Sequence, residues 1–281
     1  MTDPFEFGQP DRYAVMGNPV AHSKSPLIHQ QFARQLGHST EYRAIQVDPG
    51  GLAQAVEQFR AQGGKGLNIT VPFKLDAFRL TDHLSERARL AGAVNTLKFE
   101  ADDRIFGDNT DGAGLVHDLE INLGVHLRDK NILILGAGGA VRGVLGPLLR
   151  HHPKRVVIAN RTVARARDLA AQFTELGPVE VCGYPELRGR RFDLVINGTS
   201  ASLQGEVPPL PETIFARAAL AYDMMYGDKT TAFMDWAVLR GAGTVADGLG
   251  MLVEQAAESY FVWRGVRPET EPVIAALRRG G

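Results

Sequence analysis

The chain has 281 residues, a net charge of −1, 44% hydrophobic residues and 22% charged residues, a composition typical of a globular protein with a sizeable core. This length predicts two domains, and the balanced charge argues against a nucleic-acid or anionic-membrane partner. The single cysteine, Cys182, excludes a disulfide framework and a cysteine zinc cluster, and we expect no metal site. Residues 1–8 do not resemble a signal peptide and no apolar run is long enough to span a membrane, so we expect a soluble, cytoplasmic protein.

The first hundred residues alternate between strand and helix patterns, which predicts an α/β domain with a mainly parallel sheet. No glycine-rich phosphate turn occurs there, so we expect this domain to hold the substrate. The predicted elements are strands at 13–16, 42–47 and 66–71, helices beginning near residues 25 and 52, and a hairpin formed by residues 94–99 and 104–107.

Polar side chains gather at the ends of these predicted strands, where open α/β sheets bind ligands. Ser23 and Ser25 could hold a carboxylate, although Ser25 is also a good N-cap for the first helix. Asn68 and Thr70 share one face of the third strand because side chains alternate along a strand. Asn95 follows an apolar pair at the start of the hairpin.

Lys74 and Asp111 are the candidate acid–base groups. Lys74 follows a proline turn at a strand end, where a lowered pKa would make it a general acid or base; otherwise it is an ordinary surface lysine. Asp111 lies before a helical pattern, so it is either a helix cap, as Thr110 could also be, or a functional carboxylate.

A glycine-rich turn at residues 136–140 follows a short aliphatic strand and precedes a helix. Gly136, Gly138 and Gly139, with Ala137 and Ala140, would expose backbone N–H groups to an anionic pyrophosphate. An ordinary turn between a strand and a helix is the alternative. The turn opens a series of six predicted strands, which is the number in a doubly wound Rossmann domain, at residues 131–135, 155–159, 179–182, 193–197, 218–222 and 243–246.

The residues after the second of these strands predict the cofactor. An NAD site usually carries an acidic residue there for the ribose hydroxyl, but this strand ends in Asn160, Arg161 and Thr162, with Arg165 one turn later. The two arginines could hold a 2′-phosphate, so we predict NADP(H). Thr162 also stands at the N-cap position of the next helix.

Three later segments are expected to complete the cleft. Thr199, Met224 and Gly248 are assigned to the cofactor and Tyr226 to the substrate, with core packing as the alternative for Met224. The segment after the sixth strand has no place in the sheet, so we expect its helices to pack back on the first domain with Gln255 facing the cleft. The predicted division is a substrate domain at 1–110, an NADP-binding Rossmann domain at 111–246 and C-terminal helices at 247–281.

Together these segments resemble the shikimate dehydrogenase family over nearly the whole chain. The matching segments, in chain order, are Gly17-Asn-Pro-Val-Ala-His-Ser-Lys-Ser-Pro26, Asn68-Ile-Thr-Val-Pro-Phe-Lys74, Gly92-Ala-Val-Asn-Thr96, Gly107-Asp-Asn-Thr-Asp-Gly112, Gly136-Ala-Gly-Gly-Ala140, Asn160-Arg-Thr162, Tyr222-Asp-Met-Met-Tyr226 and Asp247-Gly-Leu-Gly-Met-Leu-Val253 with Gln255. The chain departs from the family pattern at Gly198, where alanine is usual, and at Ala232, where proline is common.

The resemblance implies reversible, NADPH-dependent reduction of 3-dehydroshikimate to shikimate in aromatic amino-acid biosynthesis. It implies that Lys74 donates or accepts the proton with Asp111 beside it, and leaves open which of the two is the formal acid. It also implies that the carboxylate is held by Ser23 and Ser25, and that the ring hydroxyls are lined by Thr70, Lys74, Asn95, Asp111 and Gln255. The alternatives are a quinate/shikimate dehydrogenase that also uses NAD, a folate-linked dehydrogenase, and a non-catalytic ligand-binding regulator. We expect a monomer or a homodimer.

Overall fold

The computed structural model describes residues 9–280 and contains two six-stranded sheets with helices packed on them. The segment on which the signal-peptide prediction rests, residues 1–8, lies outside the described residues. Among the residues that are described, no helix is long and apolar enough to cross a membrane.

The first sheet comes from the N-terminal part of the chain and has the order β2-β1-β3-β5-β6-β4. Strand β1 pairs in parallel with β2 and β3, whereas β5 pairs antiparallel with β3 and with β6, as the predicted hairpin requires. Its elements are β1 Asp11–Gly17, α1 Ser25–Leu36, β2 Thr40–Gln46, α2 Leu52–Ala61, β3 Gly64–Ile69, α3 Lys74–Arg79, β4 His83–Leu84, α4 Glu86–Ala91, β5 Thr96–Phe99 and β6 Ile105–Asp108.

The second sheet is entirely parallel and has the order β12-β11-β10-β7-β8-β9, the doubly wound order of a dinucleotide-binding fold. All six predicted strands are present, most of them within a residue or two of the predicted bounds. Its elements are α5 Asp111–His117, β7 Asn131–Leu135, α6 Gly139–Arg150, β8 Arg155–Ala159, α7 Val163–Ala171, β9 Val179–Cys182, β10 Phe192–Asn197, β11 Phe215–Asp223, α8 Ala232–Leu239 and β12 Thr244–Ala246.

The aliphatic sequence of β7 explains why it occupies the centre of this sheet. Ile132 and Ile134 lie in the core on one face, and Leu133 and Leu135 lie in the core on the other. A strand that is buried on both faces needs a continuous apolar run, because helices cover both sides of a parallel sheet.

The C-terminal helices α9 Leu249–Arg264 and α10 Glu271–Arg279 pack back on the N-terminal part of the chain, as predicted. Ile28 and Phe32 of α1 share a buried cluster with Val253, Tyr260 and Val273. The chain therefore crosses from the first sheet to the second and returns, which leaves a cleft between the two.

Helix α5 lies where the two halves meet and packs closely against α6 and α9. A Cβ at Gly112 would stand 2.4 Å from Pro147 Cγ of α6, and a Cβ at Gly114 would stand 2.6 Å from the backbone nitrogen of Gln255 in α9. Both distances are below van der Waals contact, so only glycine permits this approach of the three helices.

Candidate active site

A cavity of about 360 Å³ lies in the cleft, at the carboxyl ends of strands β1 and β3. The first sheet and its loops form one wall, and residues 224–255 form the other. Eight of the predicted substrate and catalytic residues line it: Ser23, Ser25, Thr70, Lys74, Asn95, Asp111, Tyr226 and Gln255.

Lys74 and Asp111, which are far apart in sequence, meet in this cavity. Lys74 begins α3, Asp111 begins α5, and Nζ of the lysine lies 2.5 Å from Oδ2 of the aspartate. The side chain of Asp111 is 9% exposed and that of Lys74 is 22% exposed, so the pair is largely shielded from water. A charge-assisted hydrogen bond of this kind holds the ammonium in one place. The capping alternative for Asp111 is excluded, because its carboxylate binds side chains rather than the helix N–H groups.

Asn95 supports Asp111 from the other side. Its Nδ2 donates to Oδ1 of Asp111 at 2.9 Å and to Oγ1 of Thr110 at 2.8 Å, and it lies 3.3 Å from Oε1 of Gln255. Its Oδ1 accepts the backbone N–H of Thr110 at 2.9 Å. A backbone donor and a carboxylate acceptor together fix which way this amide points.

The serine pair at the mouth of α1 corrects one prediction. Ser25 was expected as the N-cap, but it lies inside the first turn and Lys24 occupies the cap position without a side-chain hydrogen bond. Instead, Ser23 Oγ accepts the backbone N–H of Ser25 at 3.2 Å. The reason is that the helix begins one residue earlier than predicted: the carbonyl of Lys24 accepts the N–H of Ile28, which places Ser25 at the first helical position.

Asn68 lines the same cavity. From the sequence it is predicted only to share one face of the third strand with Thr70, and no role follows from that. It is 6% exposed, accepts the hydroxyl of Tyr42 at 2.8 Å and donates to Oγ of Ser259 at 3.0 Å. The two-residue strand period was the only signal in the sequence, because its partners come from distant segments.

The glycine turn leaves open space at a helix N-terminus. Gly136 has a φ of 101°, which disfavours any residue with a Cβ. A Cβ placed on Gly138 or on Gly139 would meet nothing within 4 Å, so protein packing does not account for these two glycines. The open space lies at the N-terminus of the twelve-residue helix α6, where backbone N–H groups and the helix dipole favour an anion.

The predicted 2′-phosphate site lies at the end of β8. Arg161, Thr162 and Arg165 are exposed, and neither arginine has a carboxylate within ion-pair distance among residues 9–280. Thr162 holds the N-cap position of α7 without a side-chain hydrogen bond, so its hydroxyl is available to a ligand. Asn160 and Arg161 line a cavity of about 420 Å³ together with Arg188, which the sequence analysis missed.

The remaining predicted cofactor residues lie between the glycine turn and the substrate cavity. Met224 and Gly248 line that cavity. Thr199 lies beside the glycine turn, because a Cβ on Gly136 would be 3.1 Å from its Cγ2. Met224 also belongs to the core, so the packing alternative holds alongside the ligand one. Asp223, which the sequence did not mark, is fully buried and accepts hydrogen bonds from Asn197, Ser202, Thr231 and the N–H of Met225.

Two other findings bear on the chemistry of the cleft. Burial raises the pKa of the Tyr226 hydroxyl, so this side chain is a neutral hydrogen-bonding group. In the part of the chain that the structure describes, no group of three or more His, Cys, Asp or Glu residues is arranged to hold a metal ion.

Family models match three parts of the chain. The model of the shikimate dehydrogenase substrate binding domain matches residues 15–97, and that of shikimate/quinate 5-dehydrogenase matches residues 119–205. The model of the shikimate 5′-dehydrogenase C-terminal domain matches residues 248–278.

Similar proteins cover almost the full length. The shikimate dehydrogenase (NADP(+)) of Nitrosospira multiformis is 62% identical over 95% of this chain and 97% of the relative, and that of Cellvibrio japonicus is 57% identical over 96% and 97%. Among solved structures, an Ael1 enzyme from Pseudomonas putida is 51% identical with a TM-score of 0.89, covering 95% of this chain and 98% of that one. Shikimate 5-dehydrogenase from Thermus thermophilus, solved with NADP(H) and shikimate, is 33% identical with a TM-score of 0.84, covering 96% and 99%.

Proposed function

The chain belongs to the shikimate dehydrogenase family, and we propose on this basis that it is an NADP-dependent enzyme that reversibly reduces 3-dehydroshikimate to shikimate. The observation that carries the proposal is the contact between Lys74 and Asp111 in a cavity bordered by both halves of the molecule. A purely ligand-binding regulator has no need of an aimed ammonium–carboxylate pair. The similar proteins are named as NADP(+) enzymes, which does not favour the alternative of a quinate/shikimate dehydrogenase that also uses NAD.

The residues of the second half fit the cofactor. Gly138 and Gly139 leave open space at a helix N-terminus, and Arg161 and Arg165 offer positive charge that no carboxylate among the described residues takes up. We therefore propose that Gly136, Ala137, Gly138, Gly139 and Ala140 hold the pyrophosphate. For the 2′-phosphate we propose Asn160, Arg161, Thr162 and Arg165, and for the nicotinamide end Thr199, Met224 and Gly248.

When it is bound, NADPH supplies a hydride to the carbonyl carbon of the substrate. Lys74 holds a proton on Nζ beside the carbonyl oxygen, and its positive charge stabilises the negative charge that develops there. The proton then passes from Nζ to that oxygen, and in the oxidative direction it returns to Nζ. Asp111 holds the ammonium in place, because its Oδ2 lies 2.5 Å from Nζ.

The other lining residues bind and orient the substrate. We propose that Ser23 and Ser25 donate to its carboxylate, since Ser23 Oγ only accepts the Ser25 N–H and keeps its own O–H to donate, and the Ser25 hydroxyl does not cap the helix. Thr70, Asn95, Tyr226 and Gln255 surround the ring hydroxyls. The low exposure of Asp111 and Asn95 keeps water away from the reacting atoms, which strengthens each of these electrostatic contacts.

The domain division at 1–110, 111–246 and 247–281, the cytoplasmic location and the state as monomer or homodimer stay predictions. The division is supported by the position of residue 111 at the start of α5, between the two sheets. A single cysteine, buried at position 182, agrees with a reducing compartment.

The test is an oxidation assay with the purified protein. Shikimate and NADP⁺ together should produce NADPH, detected by its absorbance, whereas quinate in place of shikimate or NAD⁺ in place of NADP⁺ should give a much slower reaction. Omission of either substrate is the control. A protein that binds NADP⁺ but forms no NADPH with shikimate would contradict the proposed reaction.

A further inference from the structure

Behind the substrate cavity lies a layer of aromatic rings that does not itself line the cavity. His29 of α1 stacks on Tyr42 of β2 with ring centroids 4.2 Å apart and an interplanar angle of 7°, and Trp263 of α9 packs against both. His29 is 2% exposed, so the Tyr42 ring is held in one plane by buried neighbours. The phenol oxygen of Tyr42 bonds to Asn68, which lines the cavity.

That oxygen contacts one residue of the cavity wall. It donates to Oδ1 of Asn68 at 2.8 Å. Burial raises the pKa of Tyr42 well above its ordinary value. A hydroxyl that stays protonated can act as a donor to Asn68 at any pH at which the enzyme works.

The orientation of the Asn68 amide follows from its surroundings. The backbone carbonyl of Asn95, 3.3 Å away, can only accept a hydrogen bond, so the group facing it must be the NH₂ of Asn68. The same NH₂ lies 3.0 Å from Ser259 Oγ and 3.2 Å from Thr96 Oγ1, so it is surrounded by acceptors. Oδ1 therefore faces Tyr42, and after that bond it keeps a second lone pair.

Asn68 is also joined to the catalytic pair. Ser259 Oγ lies 3.1 Å from Thr110 Oγ1, Thr110 binds Asn95, and Asn95 donates to Asp111. One continuous set of hydrogen bonds thus runs from Tyr42 to Lys74, with Asn68 at the end remote from the lysine.

We propose that Tyr42 is a positioning residue that determines specificity: its hydroxyl occupies one lone pair of Asn68 Oδ1 and so directs the other into the cavity as an acceptor for a hydroxyl group of the substrate. The inference rests on the proposed function, since the hydroxyl in question belongs to the ring of the bound shikimate. Without the tyrosine O–H, the NH₂ contacts still set which end of the amide faces Asn95, but Oδ1 loses the donor that fixes its direction. The site then loses selectivity for a donor at this position while the Lys74–Asp111 pair stays intact.

The experiment compares Tyr42→Phe with the wild-type enzyme. Phenylalanine keeps the ring and its stacking on His29, so the fold is preserved while the donor is lost. KM for shikimate should rise roughly three- to tenfold, the effect of one hydrogen bond, with kcat within about twofold and KM for NADP⁺ unchanged.

Tyr13→Phe is the matched control. Tyr13 stacks on Trp263 at 4.6 Å in the same aromatic layer, but its hydroxyl faces Arg264 at 3.4 Å and not the cavity. This variant should leave KM for shikimate unchanged. An equal rise in KM for both variants would overturn the proposal, because it would trace the effect to general loosening of the layer.

A second measurement tests whether Tyr42 acts through Asn68. In an Asn68→Ala background, Tyr42→Phe should cause no further rise in KM, because the group that it positions is absent. Additive effects would overturn the proposal by showing that Tyr42 contacts the substrate site independently. An inactive wild-type enzyme would refute the proposed function instead, so the two failures are distinguishable.

Discussion

The substrate side and the cofactor side of the cleft differ in how far the protein itself satisfies their polar groups. On the substrate side, Lys74, Asp111, Asn95 and Asn68 are bonded to one another or to neighbouring side chains. On the cofactor side, Arg161 and Arg165 are exposed and have no carboxylate partner among the described residues.

The two sides of the cleft also differ in how closely their residues are packed. Asp111 and Asn95 are packed among neighbours, whereas a Cβ at Gly138 would meet nothing within 4 Å. The substrate side is thus arranged before any ligand arrives, while the cofactor side is completed by the ligand. Changes to the Lys74–Asp111 pair should therefore reduce turnover, and changes on the cofactor side should reduce affinity for NADP⁺.

The largest expected effect is that of Lys74→Ala. It removes the proton donor and leaves Asp111 without its counter-charge, so kcat should fall by roughly 10²–10⁴-fold while substrate binding is largely kept. Steady-state kinetics and a direct binding measurement with shikimate separate the two quantities. Lys65→Ala changes an exposed lysine of β3 outside the cavity and should leave both unchanged. A large rise in KM with unaltered kcat would mean that Lys74 only binds.

Arg161→Glu tests the cofactor side. Reversing this charge should weaken NADP⁺ binding by roughly 10–100-fold, because a charged hydrogen bond to the 2′-phosphate is lost and replaced by repulsion. NAD⁺ binding and kcat should change little, and fluorescence titration measures each affinity. Arg167→Glu is the matched control: Arg167 lies on α7, the helix that follows Arg161, and its side chain is exposed and outside the cavity that Arg161 lines. Equal weakening in both variants would assign the effect to overall charge.

Two glycine-to-alanine changes compare Gly198, which is closely packed, with Gly138, which faces open space. A Cβ at Gly198 would lie 2.5 Å from Val141 Cγ2, so Gly198→Ala should lower the free energy of unfolding by about 1–3 kcal/mol, and Val141→Ala should partly relieve the loss. Gly138→Ala should leave stability nearly unchanged and weaken NADP⁺ binding. Thermal denaturation with and without NADP⁺ measures both. Similar destabilisation by the two changes would remove the distinction between them.

A pH-dependent effect concerns His29, a buried polar side chain near the substrate side. Neither ring nitrogen of His29 has a hydrogen-bond partner among the described residues, and burial lowers the pKa of this side chain from 6.5 to about 3. Between these values the unfolded chain binds a proton that the folded chain does not, so the stability contributed is complete above pH 6.5 and decreases as the pH falls.

The decrease attributable to His29 should approach about 1.4 kcal/mol per pH unit. His29→Phe keeps an aromatic ring in the layer and cannot titrate, so the free energy of unfolding of this variant should fall less between pH 6.5 and 4.5 than that of the wild type. Chemical denaturation at several pH values is the measurement. Parallel pH profiles for the two proteins would show that the histidine does not titrate on unfolding.

Local patterns predicted the elements well because each pattern is a property of a short segment. The six strands of the second sheet and the hairpin at residues 94–108 follow from apolar runs and turn residues. The positions that the sequence did not reveal depend on distant segments. Asn68 acquires its role from Tyr42 and Ser259, and Asp223 from Ser202 and Thr231. The prediction of Ser25 as an N-cap is wrong because the first helical hydrogen bond is made to the carbonyl of Lys24, which puts Ser25 inside the helix.

The glycines of α5 have a consequence for how the sequence can drift. Gly112 and Gly114 present no side chain to any ligand, yet a methyl group at either would force apart the helices on which the two sheets rest. Selection for function should therefore forbid substitution there as strictly as at Lys74. A survey of all tolerated single substitutions would show a short invariant segment at Gly112 and Gly114, where the two halves of the molecule meet. Such a survey would locate this contact without any bound cofactor or substrate.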